Sequence, residues 1–178
     1  MFVTTLLYLT SKIPKIVYIT GINKEVAKPF IDSFWSLHSM ESYKVLFFDD
    51  AECIREMQKD NLGRKLIPIF NNTYNDIKGD IFRMYFLYKY GGIYSDIDNN
   101  FVKPLDFLFS FNFSFFSIAS KFKSVLNPIV IATESRNQFL FEVIKLTIHR
   151  WKNKKRSYWD LSICQTGKVC WEQLKCDG

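Results

Sequence analysis

Two carboxylates separated by one residue, Asp96-Ile97-Asp98, close an apolar run that begins after the glycine pair Gly91-Gly92. In a strand, residues two apart point to the same side and lie roughly 6.5–7 Å apart. Asp96 and Asp98 are therefore expected to share one face, with Ile97 turned into the core. A cation serving both would bind one carboxylate directly and the other through water or a substrate oxygen. Mg²⁺ or Mn²⁺ suits such a place, because both take octahedral oxygen ligands and leave positions open for phosphate. Asp80 and Arg83 stand upstream, three apart and so on one face of an expected helix. Ionic groups on an apolar helix are costly to bury without good partners, which points to one site shared with Asp96 and Asp98. Each feature alone has a plainer meaning. Asp-x-Asp is commonly a turn that leaves a strand for solvent, and Asp80 with Arg83 is commonly a structural ion pair.

The elements that must position these residues follow from the hydrophobic pattern. Residues 15–20 (KIVYIT) are expected as a first buried strand ended by Gly21. A helix over 29–40 opens on Pro29, which its first turn tolerates. Residues 43–48 (YKVLFF) give a second strand, closed by Asp49-Asp50, and 51–60 a short helix. Residues 77–90 are apolar on nearly every face, as a buried helix is, and Gly91 caps its end. Strands are expected at 93–97, at 102–105 as an edge limited by Pro104, at 113–119 and at 129–133. A helix over 136–151 runs into the cations Lys152, Lys154, Lys155 and Arg156, and Gly167 opens a last short helix over 168–175. This order predicts an α/β fold with a mostly parallel central sheet and flanking helices.

Size and composition agree. The 178 residues suit one domain, 1–178, which buries roughly 70% of its unfolded surface. With 48% hydrophobic residues, 17% aromatic residues and 18 Phe, the chain has the composition of an aromatic-cored globular protein, not a disordered one. A net charge of +6 favours anionic partners. The basic run, with Trp151 and Trp159 beside it, suits a peripheral membrane contact. It lacks the stacking module of a nucleic-acid binder, so no nucleic-acid partner is expected. The first ten residues are apolar, well short of the ~20 that a membrane helix requires. The expected location is cytoplasmic, with membrane association. Cys53, Cys164, Cys170 and Cys176 form no CxxC pair, and the last three are spaced by six, which is not zinc spacing. Free thiols and one late disulfide both fit. His38 and His149 are isolated.

Taken jointly, residues 13–18 (IPKIVY), 79–98 (GDIFRMYFLYKYGGIYSDID) and 104–106 (PLD), Asn127 with the strand after it, and Thr166-Gly167 resemble the DXD-containing sugar transferases of glycosyltransferase family 32. Fungal α-mannosyltransferases and capsular polysaccharide enzymes belong there, and the glucosyltransferase domains of clostridial toxins are more distantly similar. The spacing Asp-x2-Arg, Tyr-Gly-Gly, Asp-x-Asp is what makes the resemblance specific.

The resemblance implies a GT-A fold and metal-dependent, retaining transfer of a hexose. The donor would be a UDP- or GDP-linked sugar, and the acceptor a glycan or a glycolipid. By the same analogy Asp98 ligates Mn²⁺ or Mg²⁺, with Asp96 on the ribose or sugar and reaching the metal through water. Asp80 and Arg83 hold the donor sugar, Tyr18 and Ile19 border the base, and Asn127 lines the donor site. The sequence departs from the family pattern at Gly21, where a Trp is common, at Asn137 in place of a His, and at Lys168 in place of a Pro. Many members also continue further, so this domain is expected to be short at its C-terminal end. The alternative is a non-catalytic or weakly active GT-A domain that binds a nucleotide sugar or glycan.

Overall fold

The computed structural model describes residues 12–111, 113–119 and 126–176. The apolar opening segment, 1–10, lies outside them. Five strands form one sheet in the order β2-β1-β3-β5-β4. They are β1 (Ile16–Thr20), β2 (Lys44–Phe48), β3 (Gly92–Ser95), β4 (Phe115–Ala119) and β5 (Leu126–Thr133). The β2-β1-β3 part is parallel, and β5 and β4 extend it in antiparallel pairing. The expected α/β class holds, with helices covering both faces.

The pleat of the strands sorts the core into two layers. Val17, Ile19, Ile93 and Ala132 face helix α1 (Lys28–Trp35), where Phe30 and Phe34 are buried one turn apart. Tyr18, Tyr94 and Ile131 face the other layer. That layer holds α2 (Asp50–Met57), α3 (Asn61–Asn71), α4 (Asn75–Tyr90), α5 (Gln138–Lys152) and α7 (Ile163–Cys176). The short α6 (Tyr158–Leu161) precedes α7. Helix α4 is the central strut, with Ile81, Phe82, Met84, Tyr85, Phe86 and Leu87 all buried. Among the described residues no helix is long and apolar enough to cross a membrane.

Several sequence expectations change here. Helix α3 was not foreseen, and it holds two residues of low helix propensity, Gly63 and Pro68. Its buried face of Leu66, Ile69 and Phe70 outweighs them, and the Asp60 carboxylate caps its start by accepting from the Gly63 N–H at 2.8 Å. Gly63 also lets α2 and α3 meet, since a Cβ there would lie 2.2 Å from the Met57 carbonyl. The strand expected at 102–105 is instead a bend followed by a 3-10 helix, Leu105–Phe109. Helix α7 begins at Ile163, with Gly167 inside it, because packing against α5 and β5 overrides the ~1 kcal/mol propensity cost of an interior glycine. His38 is a satisfied core residue. Its Nε2 accepts from the Leu105 N–H at 2.8 Å, and its Nδ1 therefore donates to the Phe34 carbonyl at 2.7 Å. Asn137 caps α5 by accepting from the Leu140 N–H. Cys53, Cys164 and Cys170 are free thiols, and the side chain of Cys176 lies outside the described set.

The turn from α4 into β3 depends on its two glycines. Gly91 has φ 68° and Gly92 φ 109°, where residues with a Cβ are strained. A Cβ on Gly92 would also sit 2.7 Å from the Ile16 carbonyl oxygen, which is backbone and has no room to yield. Gly92→Ala is therefore expected to cost about 3 kcal/mol or more. Urea denaturation checks this, and a loss below about 1 kcal/mol would show that β1 and β3 can separate at no great cost.

Candidate active site

A cavity of about 940 Å³ opens where the parallel strands end, the usual ligand position in an open α/β sheet. The end of β1 contributes Thr20, Gly21 and Ile22, and the end of β2 contributes Asp49 and Asp50. Asp96, Ile97 and Asp98 follow β3. The first turns of α4 supply Asp76, Lys78, Gly79, Asp80 and Arg83. Asn127, Pro128 and Ile129 at the start of β5 close one side, with Tyr158 and Cys164 from α6 and α7.

The Asp pair is held differently from the strand geometry expected. Strand β3 stops at Ser95, and residues 96–99 form a turn in which the Asn99 N–H donates to the Asp96 carbonyl at 3.3 Å. Two bonds tie this turn to β5: the Asp96 N–H donates to the Ile129 carbonyl at 3.0 Å, and Asn99 Nδ2 donates to the same oxygen at 2.9 Å. Ile97 still packs toward the α1 layer, as expected. Both carboxylates line the cavity, Asp96 half-buried and Asp98 exposed.

Arg83 organises the floor. Only 6% exposed, its guanidinium pairs with Asp80 Oδ1 at 3.3 Å and Asp96 Oδ1 at 3.2 Å. It also donates to the carbonyls of Pro128 at 2.6 Å and Gly79 at 3.2 Å, and it lies over the Tyr94 ring at 4.3 Å. Pro128 suits its place, because it falls within the register shift between β4 and β5, where a missing N–H costs no ladder bond. The Tyr94 hydroxyl donates to Asp96 Oδ1 at 2.7 Å. Burial holds that phenol neutral, so it remains a donor. Asp80, 3% exposed, uses its other oxygen to accept the Ile163 N–H at 3.0 Å, which caps the start of α7.

Two carboxylates thus share one guanidinium. Burial pushes Asp80 up to about 6, against the pull of Arg83 and the Ile163 N–H. Burial also raises Asp96, with Arg83 and Tyr94 opposing and Asp98 adding to the rise. Because the folded value of Asp80 exceeds its unfolded one, its contribution to stability is complete below about 4 and is lost as pH rises through about 6. Wild type should therefore lose stability relative to Asp80→Asn across that window. Urea midpoints taken at several pH values measure this, and a relative gain would contradict the raised value.

The expected site residues divide into two groups. Asp80, Arg83, Asp96, Asp98 and Asn127 meet in the cavity. Tyr18 and Ile19 do not. Tyr18 is 3% exposed against Phe48 and Phe86, and Ile19 is fully buried in the α1 layer. Thr20, Gly21 and Ile22 take the expected place beside the cavity, because the β1 side chains before them still belong to the sheet. Asp49, Asp50, Asp76, Lys78, Tyr94, Tyr158 and Cys164 were not foreseen. A signal existed for Tyr94, which alternates with Asp96, and for Asp49-Asp50, which end a parallel strand. None existed for Tyr158 or Cys164.

The lining holds six aspartates against Lys78 and Arg83. Lys78 pairs with Asp50 and Arg83 with Asp80 and Asp96, so both cations are already engaged. Among the described residues no three His, Cys, Asp or Glu side chains form a ready metal cage. Asp98 has no ion pair there, and both donors to Asp96 fall on Oδ1. Exposed hard oxygens of this kind fit Mg²⁺ or Mn²⁺ sites, which take one or two carboxylates and complete their shell with water and phosphate.

A comparison with curated proteins finds no match. Among solved structures the chain is similar to the PaToxG glycosyltransferase, with a TM-score of 0.69 and 16% identity over 93% of this chain and 71% of that one. That likeness shows the fold, which is GT-A. The family model for the glycosyltransferase sugar-binding region containing the DXD motif matches residues 26–114, half of the chain and the whole of its α4-β3-Asp96-Asp98 unit. The chain belongs to this family of DXD-containing glycosyltransferases.

Proposed function

We propose that this glycosyltransferase moves a hexose from a UDP- or GDP-linked sugar to a glycan or lipid-linked acceptor, with retention and with Mn²⁺ or Mg²⁺. One observation carries this: an acidic cavity of nucleotide-sugar size whose two cations are both internally paired. A diphosphate enters such a cavity only if its charge is neutralised. Asp98, with Asp96 beside it, would hold the cation, which when bound stabilises the charge on the departing diphosphate.

The remaining residues position the reactants. Arg83 fixes Asp96 and the start of β5, so that Asn127 stands at the donor. Asp80, already joined to Arg83 and α7, holds the segment bearing Tyr158 and Cys164 against the site. Gly21 and Ile22 face the base in place of an aromatic side chain. Retention would follow if the acceptor oxygen attacks on the face the diphosphate leaves, with a phosphate oxygen taking its proton.

The test is a screen of UDP- and GDP-sugars for Mn²⁺-dependent hydrolysis, with thermal shift first. A true donor at about a hundred times its Kd stabilises by about 2.7 kcal/mol. A second reading has its own support, because Asp80 and Arg83 are nearly sealed and mutually satisfied. It is a domain that binds donor without turnover. A Mn²⁺-dependent shift with no hydrolysis and no transfer would select it, and no shift with any donor would sink both.

A further inference from the structure

Residues 150–156 (RWKNKKR) carry five cations, and no Asp or Glu stands between Glu142 and Asp160. They form a folded turn at the end of α5. The Lys154 N–H donates to the Trp151 carbonyl and the Lys155 N–H to the Arg150 carbonyl, both at 3.0 Å. The Arg156 guanidinium lies 4.3 Å from the centre of the Trp151 ring. Arg150 Nη1 donates to the Asp160 carbonyl at 2.9 Å, which fastens the turn to α6. Among the described residues no ion pair engages Lys152, Lys154, Lys155 or Arg156, and all four are exposed.

Helix α6 links this basic surface to the cavity. Tyr158 lines the cavity, while its neighbour Trp159 stands 63% exposed. The capping box between Ser157 and Asp160 holds the pair in place. A cationic lip is thus joined through α6 to a cavity lined by carboxylates, with the exposed ring of Trp159 next to Tyr158 in the chain.

We infer that this lip docks the protein on an anionic lipid bilayer. Lysines next to an exposed Trp match the requirements of that interface: clustered positive charge near the lipid headgroups, and an indole that sits at their level. Single-stranded nucleic acid would require successive open aromatic faces along a basic groove, whereas Arg156 covers Trp151 and Trp159 is the exposed indole next to the turn. The charge separation also sets an orientation, since an anionic surface is drawn to the lip and repelled from the acidic cavity. The mouth then lies beside the headgroup layer, where a lipid-linked acceptor would reach it. That last step rests on the transfer reaction proposed above; the docking does not.

The full chain is sedimented with phosphatidylcholine vesicles, with and without phosphatidylserine. Binding should be at least about tenfold stronger to the anionic vesicles and should weaken as salt is added. The triple variant Lys152→Gln, Lys154→Gln, Lys155→Gln should lose about tenfold or more, and Trp159→Ser should lose severalfold while keeping the salt dependence. Both variants should retain the wild-type Tm and the Mn²⁺-dependent donor shift, so a failure of docking is read separately from a failure of transfer. Equal binding to both vesicles, or anionic binding unmoved by the triple variant, would overturn the inference. Tighter binding to a single-stranded DNA oligonucleotide than to the anionic vesicles would overturn it as well.

Discussion

Asp98→Asn should lower Mn²⁺-dependent donor turnover by roughly 10²–10³-fold and leave the fold intact. Asp98 is exposed, engages no ion pair among the described residues, and sits beside Asp96, whose charge it disfavours. Removing it deletes no ion pair or side-chain hydrogen bond among the described residues and relieves a repulsion, so the change in stability should stay within about 0.5 kcal/mol. What it removes is the charge that would hold a cation against diphosphate. An Asn oxygen is a weaker ligand, so the Mn²⁺ concentration for half-maximal rate should rise. Asp96→Asn should behave differently, because Asp96 accepts from Arg83 and Tyr94. That variant should lose both rate and stability. Steady-state rates against Mn²⁺, with urea denaturation alongside, separate the two. Wild-type rates in Asp98→Asn would remove it from the metal-holding role.

Arg83→Met should destabilise the protein by about 3–5 kcal/mol, the cost of leaving a buried charge without its partner. For a domain of this length that is a Tm drop on the order of 10 °C. Methionine fills much of the space, so the loss is chiefly electrostatic. Asp80 would keep only the Ile163 N–H, and the Pro128 carbonyl would lose its 2.6 Å donor. Lysine should not rescue, because one ammonium cannot reach both carboxylates and two carbonyls in the plane a guanidinium spans. Without Arg83 the Asp80 pKa should climb further, so the variant should recover part of its deficit as pH falls from 8 toward about 6. Thermal denaturation of wild type, Arg83→Met and Arg83→Lys across that range checks both statements. A variant as stable as wild type would mean that the ion pairs serve only the ligand.

The two variants divide the site into its tasks. On the proposed reading Asp98 would serve the function without being needed by the fold. Arg83 is a structural residue on which the proposed function would depend, because it pairs with Asp96 and Asp80 and bonds the start of β5, and Asp80 in turn accepts from the start of α7. The types and spacing of these residues were visible in the chain. Their division of labour was not, since Arg83 and Asp80 equally well described a donor-sugar contact and a buried ion pair.

By itself the sequence determined the local parts. The apolar run of residues 16–20, the all-round apolar face of α4, the Gly91-Gly92 break and the Asp96-Asp98 pair are near-neighbour patterns, and such patterns mark which stretches of a chain are buried. The same locality explains the errors. The family resemblance places Tyr18 and Ile19 at the base but does not show where the sheet ends and the cavity begins, and Gly167 reads as a helix start until tertiary packing is in view. Only the tertiary structure brought the Pro128 carbonyl to Arg83, the Ile163 N–H to Asp80, and Tyr158 to the mouth. Those partners lie 45 to 83 residues apart for the first two contacts. They meet because the parallel strands end together and β5 and α7 fold over that end, where a buried charge must find its partners wherever the chain has placed them.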